Sequence, residues 1–210
     1  MFITFEGIEG CGKTTQIRLL CDKLSASGAD VVTTHEPGGT HAGTEIRKIL
    51  LRSGSGPMDP VTELLLFSAA RSELVDAVIM PAILQGKLVL CDRFYDSTLA
   101  YQGHARGVDM EVVRTVTQIA TGGLAPDRTI VLDLPVETGL DRAMARMMTV
   151  KNPEARFEEE GIRFHNLVRD GFLTIAAKEP DRVKVVDATG SVEEVQALIV
   201  KELRDILPLE

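Results

Sequence analysis

The sequence is short of several things, and each shortage removes a class of protein. Its three cysteines, Cys11, Cys21 and Cys91, are an odd set with no Cys-x-x-Cys pair and no accompanying histidine spacing. That argues against a disulfide framework or a zinc site and fits a reduced, intracellular protein. No apolar run approaches the roughly 20 residues that cross a bilayer, and the first apolar stretch is a short strand rather than a leader, so the expected location is the cytosol. Positive charge is in deficit: 23 Lys and Arg against 31 Asp and Glu give a formal net charge of -8. Nonspecific binding to nucleic acid or an anionic membrane is therefore disfavoured, and any anionic ligand must be held by a local constellation. Linkers, internal repeats and low-complexity tracts are missing too. At 210 residues the expectation is one domain spanning 1–210, with one sizeable core.

What is present is organised around residues 2 to 27. The apolar strand Phe2-Ile3-Thr4-Phe5 runs through Glu6 into Gly7-Ile8-Glu9-Gly10-Cys11-Gly12-Lys13-Thr14-Thr15, and a helix opens at Gln16-Ile17. Gly7, Gly12, Lys13 and Thr14 fit Gly, four residues, Gly-Lys-Ser/Thr, with the strand and helix that a P-loop needs on either side. Glycines let successive backbone N–H groups turn inward around a phosphate, and the helix start adds partial positive charge. Lys13 can reach the outer phosphates, and the Thr14 hydroxyl can ligate Mg²⁺. Cys11 reads as a small filler in this tight loop, with a redox-sensitive thiol as the alternative.

Beyond the P-loop, continuous apolar strands alternate with helices. Strands are expected at Ala29–Thr34, Leu88–Cys91, Thr129–Leu134 and Val183–Val186, which with the first makes five. The pattern implies a three-layer α/β fold of the P-loop NTPase kind. Its five-stranded parallel sheet is covered by helices on both faces, with ligands outside the carboxyl ends of the strands. Asp59 as N-cap with Pro60 at the first helical position opens a long helix running towards Gly86. On that helix Phe67 and Arg71 stand four apart, so a flat ring and a planar cation can approach one ligand. A helix through Glu45 to Leu50 is closed by Gly54, and Ser191 with Glu194 forms a capping box for the last helix. Asp92, at the end of an apolar strand beside the P-loop strand, is placed for a Mg²⁺-linked aspartate. Tyr95 to Gly103 reads as a polar, aromatic segment. Arg142 and Arg146 share a helix face, with Lys151 and Arg156 following and Pro153 breaking regularity; composition alone makes this a solvated charged face. His104 and His165 lack partners at ligand spacing and read as surface or structural.

A P-loop implies a nucleoside triphosphate without saying what becomes of it. A guanine-nucleotide switch lacks its Asn-Lys-x-Asp motif, and a motor ATPase lacks Asp-Glu at its acidic strand, which here ends Asp92-Arg93. A kinase for a small anionic acceptor fits best, because Arg47, Arg71 and Arg93, with Arg142, Arg146 and Arg156 beyond, gather where an acceptor would bind. Kinases for dUMP, dCMP or a small metabolite, and a non-catalytic P-loop switch, remain the alternatives.

Several segments together resemble the thymidylate (dTMP) kinases, particularly their bacterial form: Phe5 to Thr15, Glu36-Pro37-Gly38-Gly39-Thr40, Phe67-Ser68-Ala69-Ala70-Arg71, Asp92-Arg93-Phe94, Ser97-Thr98 and Ala100-Tyr101-Gln102-Gly103. The resemblance implies transfer of the γ-phosphoryl group of ATP to dTMP, with Mg²⁺, in a homodimer. It implies that Gly7, Ile8, Glu9, Gly10, Cys11, Gly12, Lys13, Thr14 and Thr15 wrap the ATP phosphates, with Thr14 and Asp92 acting on the metal. Phe67 would stack on thymine, Arg71 would bond its O4 edge, Thr98 and Gln102 would read the base further, and Tyr101 would sit against C2′ of the sugar. Arg93, with Arg47, would hold the acceptor phosphate, and Glu9 would sit between sugar and phosphates. Glu36, Pro37 and Ser97 join this substrate set. The bacterial form carries its catalytic arginine in the lid and not in the P-loop, and Gly10 is not basic, so the resemblance implies that the arginine comes from a lid at about 142–160, from Arg142, Arg146 or Arg156.

Overall fold

The structure, a computed structural model, describes residues 1–53, 56–149 and 154–207. The expected closing Gly54, and Lys151 and Pro153 of the lid, lie outside the described residues. The elements are β1 (Phe2–Glu6), α1 (Lys13–Ala26), β2 (Val31–His35), α2 (His41–Leu51), α3 (Pro60–Leu74), α4 (Met80–Leu84), β3 (Leu88–Asp92), α5 (Tyr95–Thr98), α6 (Met110–Thr121), β4 (Arg128–Asp133), α7 (Val136–Thr149), α8 (Ile162–Lys178), β5 (Val183–Asp187) and α9 (Val192–Leu203). The five strands form one sheet in the order β2-β3-β1-β4-β5, every neighbouring pair parallel.

The central strands have no solvent face, which explains their unbroken apolar runs. Ile3 and Phe5 of β1 with Leu88 and Leu90 of β3 pack to one side, under Leu20 of α1, Phe172 of α8 and Ile199 of α9. Phe2, Val89 and Cys91 pack to the other, under Leu74, Val75 and Ile79. Fully burying one such aliphatic or aromatic side chain is worth about 1.5–3 kcal/mol. After β1 the chain adds strands on one side, and after β3 it crosses to the other. The carboxyl ends of β1 and β3 therefore flank the switch point where α/β sheets bind ligands. In that register Phe5 pairs with Asp92, so the acid sits beside the start of the P-loop.

Two segments depart from the expected pattern. The long helix after Asp59 is not α-helical throughout, because Val75–Ile79 is a π-helical insert between α3 and α4. Pro81 explains it: a proline has no N–H, and its ring crowds the carbonyl four residues back. The wider turn takes the Met80 N–H to the Val75 carbonyl, five residues back, and the helix direction is kept. The polar segment after β3 is helical too: α5 opens into a second π-helical stretch, Leu99–Ala105, whose last turn closes through Arg106 N–H to the Tyr101 carbonyl at 2.8 Å. Such wide turns recur at functional sites, and this one carries Tyr101 and Gln102. The N-caps behave as their chemistry demands. Asp59 accepts from Val61 and Thr62, and the Ser191–Glu194 box is reciprocal. No helix among the described residues is long and apolar enough to cross a membrane.

Candidate active site

Gly12 caps α1 in the left-handed region (φ 98°), turning the P-loop over the helix start. The loop is also pressed against α7. A Cβ on Gly10 would lie 2.0 Å from the Gly139 carbonyl oxygen, and one on Gly139 would lie 2.6 Å from the Glu9 carbonyl oxygen, so only glycine fits at either position. Within the loop the Lys13 ammonium donates to the carbonyls of Gly7 (3.2 Å) and Ile8 (3.1 Å), with the Cys11 sulfur at 3.5 Å. The Thr14 hydroxyl donates to Asp92 Oδ2 at 2.7 Å, bringing a hydroxyl and a carboxylate together at the helix start.

Arg93 is the one non-glycine described residue with a left-handed backbone (φ 70°). That conformation is costly, and it persists because the surroundings hold it. Its N–H donates to the Phe5 carbonyl at 2.9 Å, and the next N–H, of Phe94, donates to buried Glu6 at 2.7 Å. The turned backbone aims the guanidinium into the site, where it donates to the Gly7 carbonyl (2.9 Å), Ser97 Oγ (3.1 Å) and Glu9 Oε1 (3.1 Å). Tyr101 donates its hydroxyl to the same Glu9 oxygen at 2.5 Å. Burial alone would raise the Glu9 carboxyl, but His165, Arg93 and Lys13 outweigh it and hold Glu9 well below the usual carboxylate range. Burial, reinforced by Asp96, pushes Glu6 up to about 7.

A cavity of about 950 Å³ joins these groups. Its walls include the P-loop residues Glu9, Gly10, Gly12, Lys13, Thr14 and Thr15, then Glu36, Pro37, Arg47 and Phe67, and then Arg93, Ser97, Thr98, Tyr101 and Gln102. Arg47 is held on the wall by the Pro37 carbonyl and by Glu154, each at 2.9 Å. Arg71 stands behind that wall, fully buried. It forms a fork with Glu36, donates to the Phe94 carbonyl, and leaves Nη1 without a hydrogen-bond partner. Among the described residues no group of three or more His, Cys, Asp or Glu side chains is placed to hold a metal ion.

The three lid arginines separate. Arg146 lines the cavity, with Glu158 at 3.8 Å. Arg142 is exposed on α7 and is not on the cavity wall. Arg156, expected beside the phosphates, is buried and turned away: it bonds Glu63 Oε2 at 2.6 Å and the Leu50 carbonyl, with Phe157 under its guanidinium. A buried carboxylate needs such a partner, so in this arrangement Arg156 serves the fold.

Glu63 is the site-associated residue the sequence concealed. It is fully buried, takes Arg156 and Arg106, and accepts from Gln102 Nε2 at 2.7 Å. Its spacing was informative, since Glu63, Phe67 and Arg71 follow one another at four-residue steps along one helix face. His165 and His104, both read as surface or structural, divide between the two. His165 is completely buried, with Nδ1 3.1 Å from Glu9 Oε2, whereas His104 is exposed. The signal was its place on the face with Val168, Phe172 and Ala176, all buried.

A P-loop at the sheet's switch point, an arginine bonded to its Gly7 carbonyl, and an adjoining wall with a flat ring and polar edges have the arrangement of a nucleoside monophosphate kinase. The thymidylate kinase family model matches residues 5–199. The thymidylate kinase of Citrifermentans bemidjiense is 50% identical over 204 residues, covering 97% of this chain and 91% of that protein. That of Geobacter sulfurreducens is 49% identical over 208 residues, covering 99% and 98%. The crystal structure of thymidylate kinase from Ehrlichia chaffeensis superposes with a TM-score of 0.77 at 36% identity, covering 97% of this chain and 98% of that one. The chain belongs to the thymidylate kinase family. It is a P-loop kinase that phosphorylates dTMP from ATP, giving dTDP for dTTP synthesis.

Proposed function

We propose that the cavity performs this transfer with the following division of labour, and that residues 1–210 form one kinase domain whose lid is 142–160. The observation that carries the reading is continuity: one cavity is walled both by the P-loop and by Phe67, Thr98 and Gln102, and Arg93 is bonded to a P-loop carbonyl between them. The ATP phosphates take the turned-in N–H groups of residues 7–15 and the Lys13 ammonium. The acceptor phosphate pairs with Arg93 and Arg47, for which a guanidinium's forked donors are suited. Thymine lies on Phe67, and the unpartnered Nη1 of Arg71 supplies a donor for O4. Since Gln102 spends its Nε2 on the acceptor-only Glu63, its carbonyl oxygen is left for the N3–H of the base, beside the Thr98 hydroxyl. Glu36 and Pro37 hold Arg71 and Arg47 in place, and Tyr101 stands where a 2′-hydroxyl would collide.

The acceptor oxygen attacks the γ-phosphorus in line, so the protein's task is positioning and charge neutralisation. Lys13 and Arg146 face the transferring group, and Glu9 keeps Arg93 on the acceptor phosphate. Thr14 and Asp92, a hydroxyl and a carboxylate side by side, would hold Mg²⁺ as oxygen donors, and the ion would supply charge neutralisation for the phosphates. The protein works in the cytosol, in keeping with its three free cysteines, and as a homodimer. Exposed Val61 and Leu65 on α3 and Val112 and Ile119 on α6 supply apolar surface for the pairing.

The test is ADP release from ATP and Mg²⁺ with dTMP, dUMP, dCMP and dGMP supplied separately, repeated on Arg93→Ala. Strong turnover is expected with dTMP and weaker turnover with dUMP. In the variant the KM for dTMP rises by about 100-fold while ATP binding survives. Equal loss of ATP and dTMP binding would sink the assignment of Arg93 to the acceptor.

A further inference from the structure

Glu9 is held from two sides. Its Oε1 takes the Tyr101 hydroxyl and the Arg93 guanidinium, while its Oε2 faces Nδ1 of His165 at 3.1 Å. His165 has no exposed surface, and its approach to Glu9 is an ion-pair distance outside hydrogen-bond geometry: among the described residues neither of its ring nitrogens, nor Oε2 of Glu9, has a hydrogen-bond partner. Buried polar atoms without hydrogen-bond partners are costly, so an unpartnered nitrogen and an unpartnered carboxylate oxygen brought to 3.1 Å need only a small rotation to satisfy each other. The Phe164 ring stands edge-on to the imidazole at 5.5 Å and limits its freedom. The histidine lies in the first turn of α8, the helix that follows the lid, and Glu9 lies in the P-loop.

We infer that His165 is a positioning residue: it fixes the rotation of the Glu9 carboxylate, and through it the aim of Arg93 and Tyr101 at the acceptor. The terminal torsion of a glutamate is soft and broad, so two donors on a single oxygen leave the group free to swing. A donor on the second oxygen removes that freedom. Because a carboxylate accepts only, the His165 atom facing it must carry the hydrogen. Were Glu9 to turn, Arg93 would lose its anionic partner while keeping the Gly7 carbonyl and Ser97, and its guanidinium would drift from the acceptor phosphate. The Lys13 contacts to Gly7 and Ile8 would be untouched.

This inference rests on the reading that Glu9 and Arg93 serve dTMP, and the experiment separates the two. His165→Leu is expected to raise the KM for dTMP about tenfold, with the KM for ATP and the urea midpoint little changed. His165→Asn, whose amide nitrogen falls near the Nδ1 position, restores the KM to within about threefold; His165→Gln, which places its amide near Nε2, does not. In a Glu9→Gln background the difference between Leu and Asn disappears. If Glu9→Gln by itself leaves the KM for dTMP unchanged, the acceptor-site reading fails. If it raises that KM but the Leu–Asn difference persists, only the role of His165 falls. Parallel rises in the KM for dTMP and ATP, or equal behaviour of Asn and Gln, also overturn the positioning role. Should the Leu variant not fold, Gln takes its place. Failure of both to fold while Asn folds would show a contact required by the fold, and would likewise overturn it.

Discussion

Glu6 shows how much one carboxylate at the end of a strand can organise. It has no solvent contact and accepts from the N–H groups of Phe94 and Ser97 and the Ser97 hydroxyl, so it ties β1 to the turn that aims Arg93. Burial and the nearby Asp96 lift its folded value from 4.5 to about 7. The native state therefore holds this proton more tightly than the unfolded chain. The resulting stabilisation is complete below about pH 4.5 and is lost as pH rises through about 7, and 2.5 units correspond to about 3 kcal/mol. Glu6→Gln keeps an acceptor but cannot ionise. Urea unfolding at pH 5 and pH 8 should show wild type losing about 2.5 kcal/mol more than the variant, since part of the effect is already lost at pH 5. Parallel curves for the two proteins would rule out Glu6 as the titrating group.

Among the elements, the arginines around the lid face two ways, Arg146 into the cavity and Arg156 into the core. Arg146 on α7 reaches the cavity, and Arg146→Ala should lower kcat by about 10³-fold or more while leaving stability within about 0.5 kcal/mol. Arg156→Ala should act the other way round, costing about 3 kcal/mol in a urea melt because Glu63 is left buried with weaker partners. If Arg156→Ala melts like wild type yet abolishes turnover, the assignments are reversed. Sequence reading recovered elements wherever the signal is local: the Gly7-to-Thr14 pattern, the Asp59–Pro60 start and the Ser191–Glu194 box all depend on neighbours a few residues apart. The π-helical insert at Val75–Ile79 was not legible, because a proline just ahead can kink, end or widen a helix and packing decides which, and the one at Leu99–Ala105 has no proline to signal it at all. The partners of Arg156 and His165 were not legible for the same reason, since each comes from a distant part of the chain, Glu63 and Glu9. An amphipathic pattern shows that a position is buried without naming what it meets.

On the scale of the whole molecule, the net charge of -8 is borne by a protein whose substrates are both polyanions. The cavity walls bring Lys13, Arg47, Arg93 and Arg146 to one space, where carboxylates such as Glu9 and Glu154 hold Arg93 and Arg47 in place. Pairing of two copies would cover the apolar residues on α3 and α6. Light scattering behind gel filtration should return twice the chain mass, and Leu65→Arg with Ile119→Arg should halve it. A monomeric wild type would dismiss this face as the interface.

The paired glycines 10 and 139 give α7 a mechanical character. Where two backbones touch with no side chain between them, there is no rotamer to absorb movement, and the contact acts as a pivot. Arg146 lies seven residues beyond Gly139, about 10 Å along the helix at 1.5 Å per residue. A tilt of about 10° around that pivot carries the arginine's backbone through about 2 Å, while the loop that cradles the phosphates stays where it is. The helix would then be a short lever, its fulcrum on the P-loop and its working end at the cavity wall.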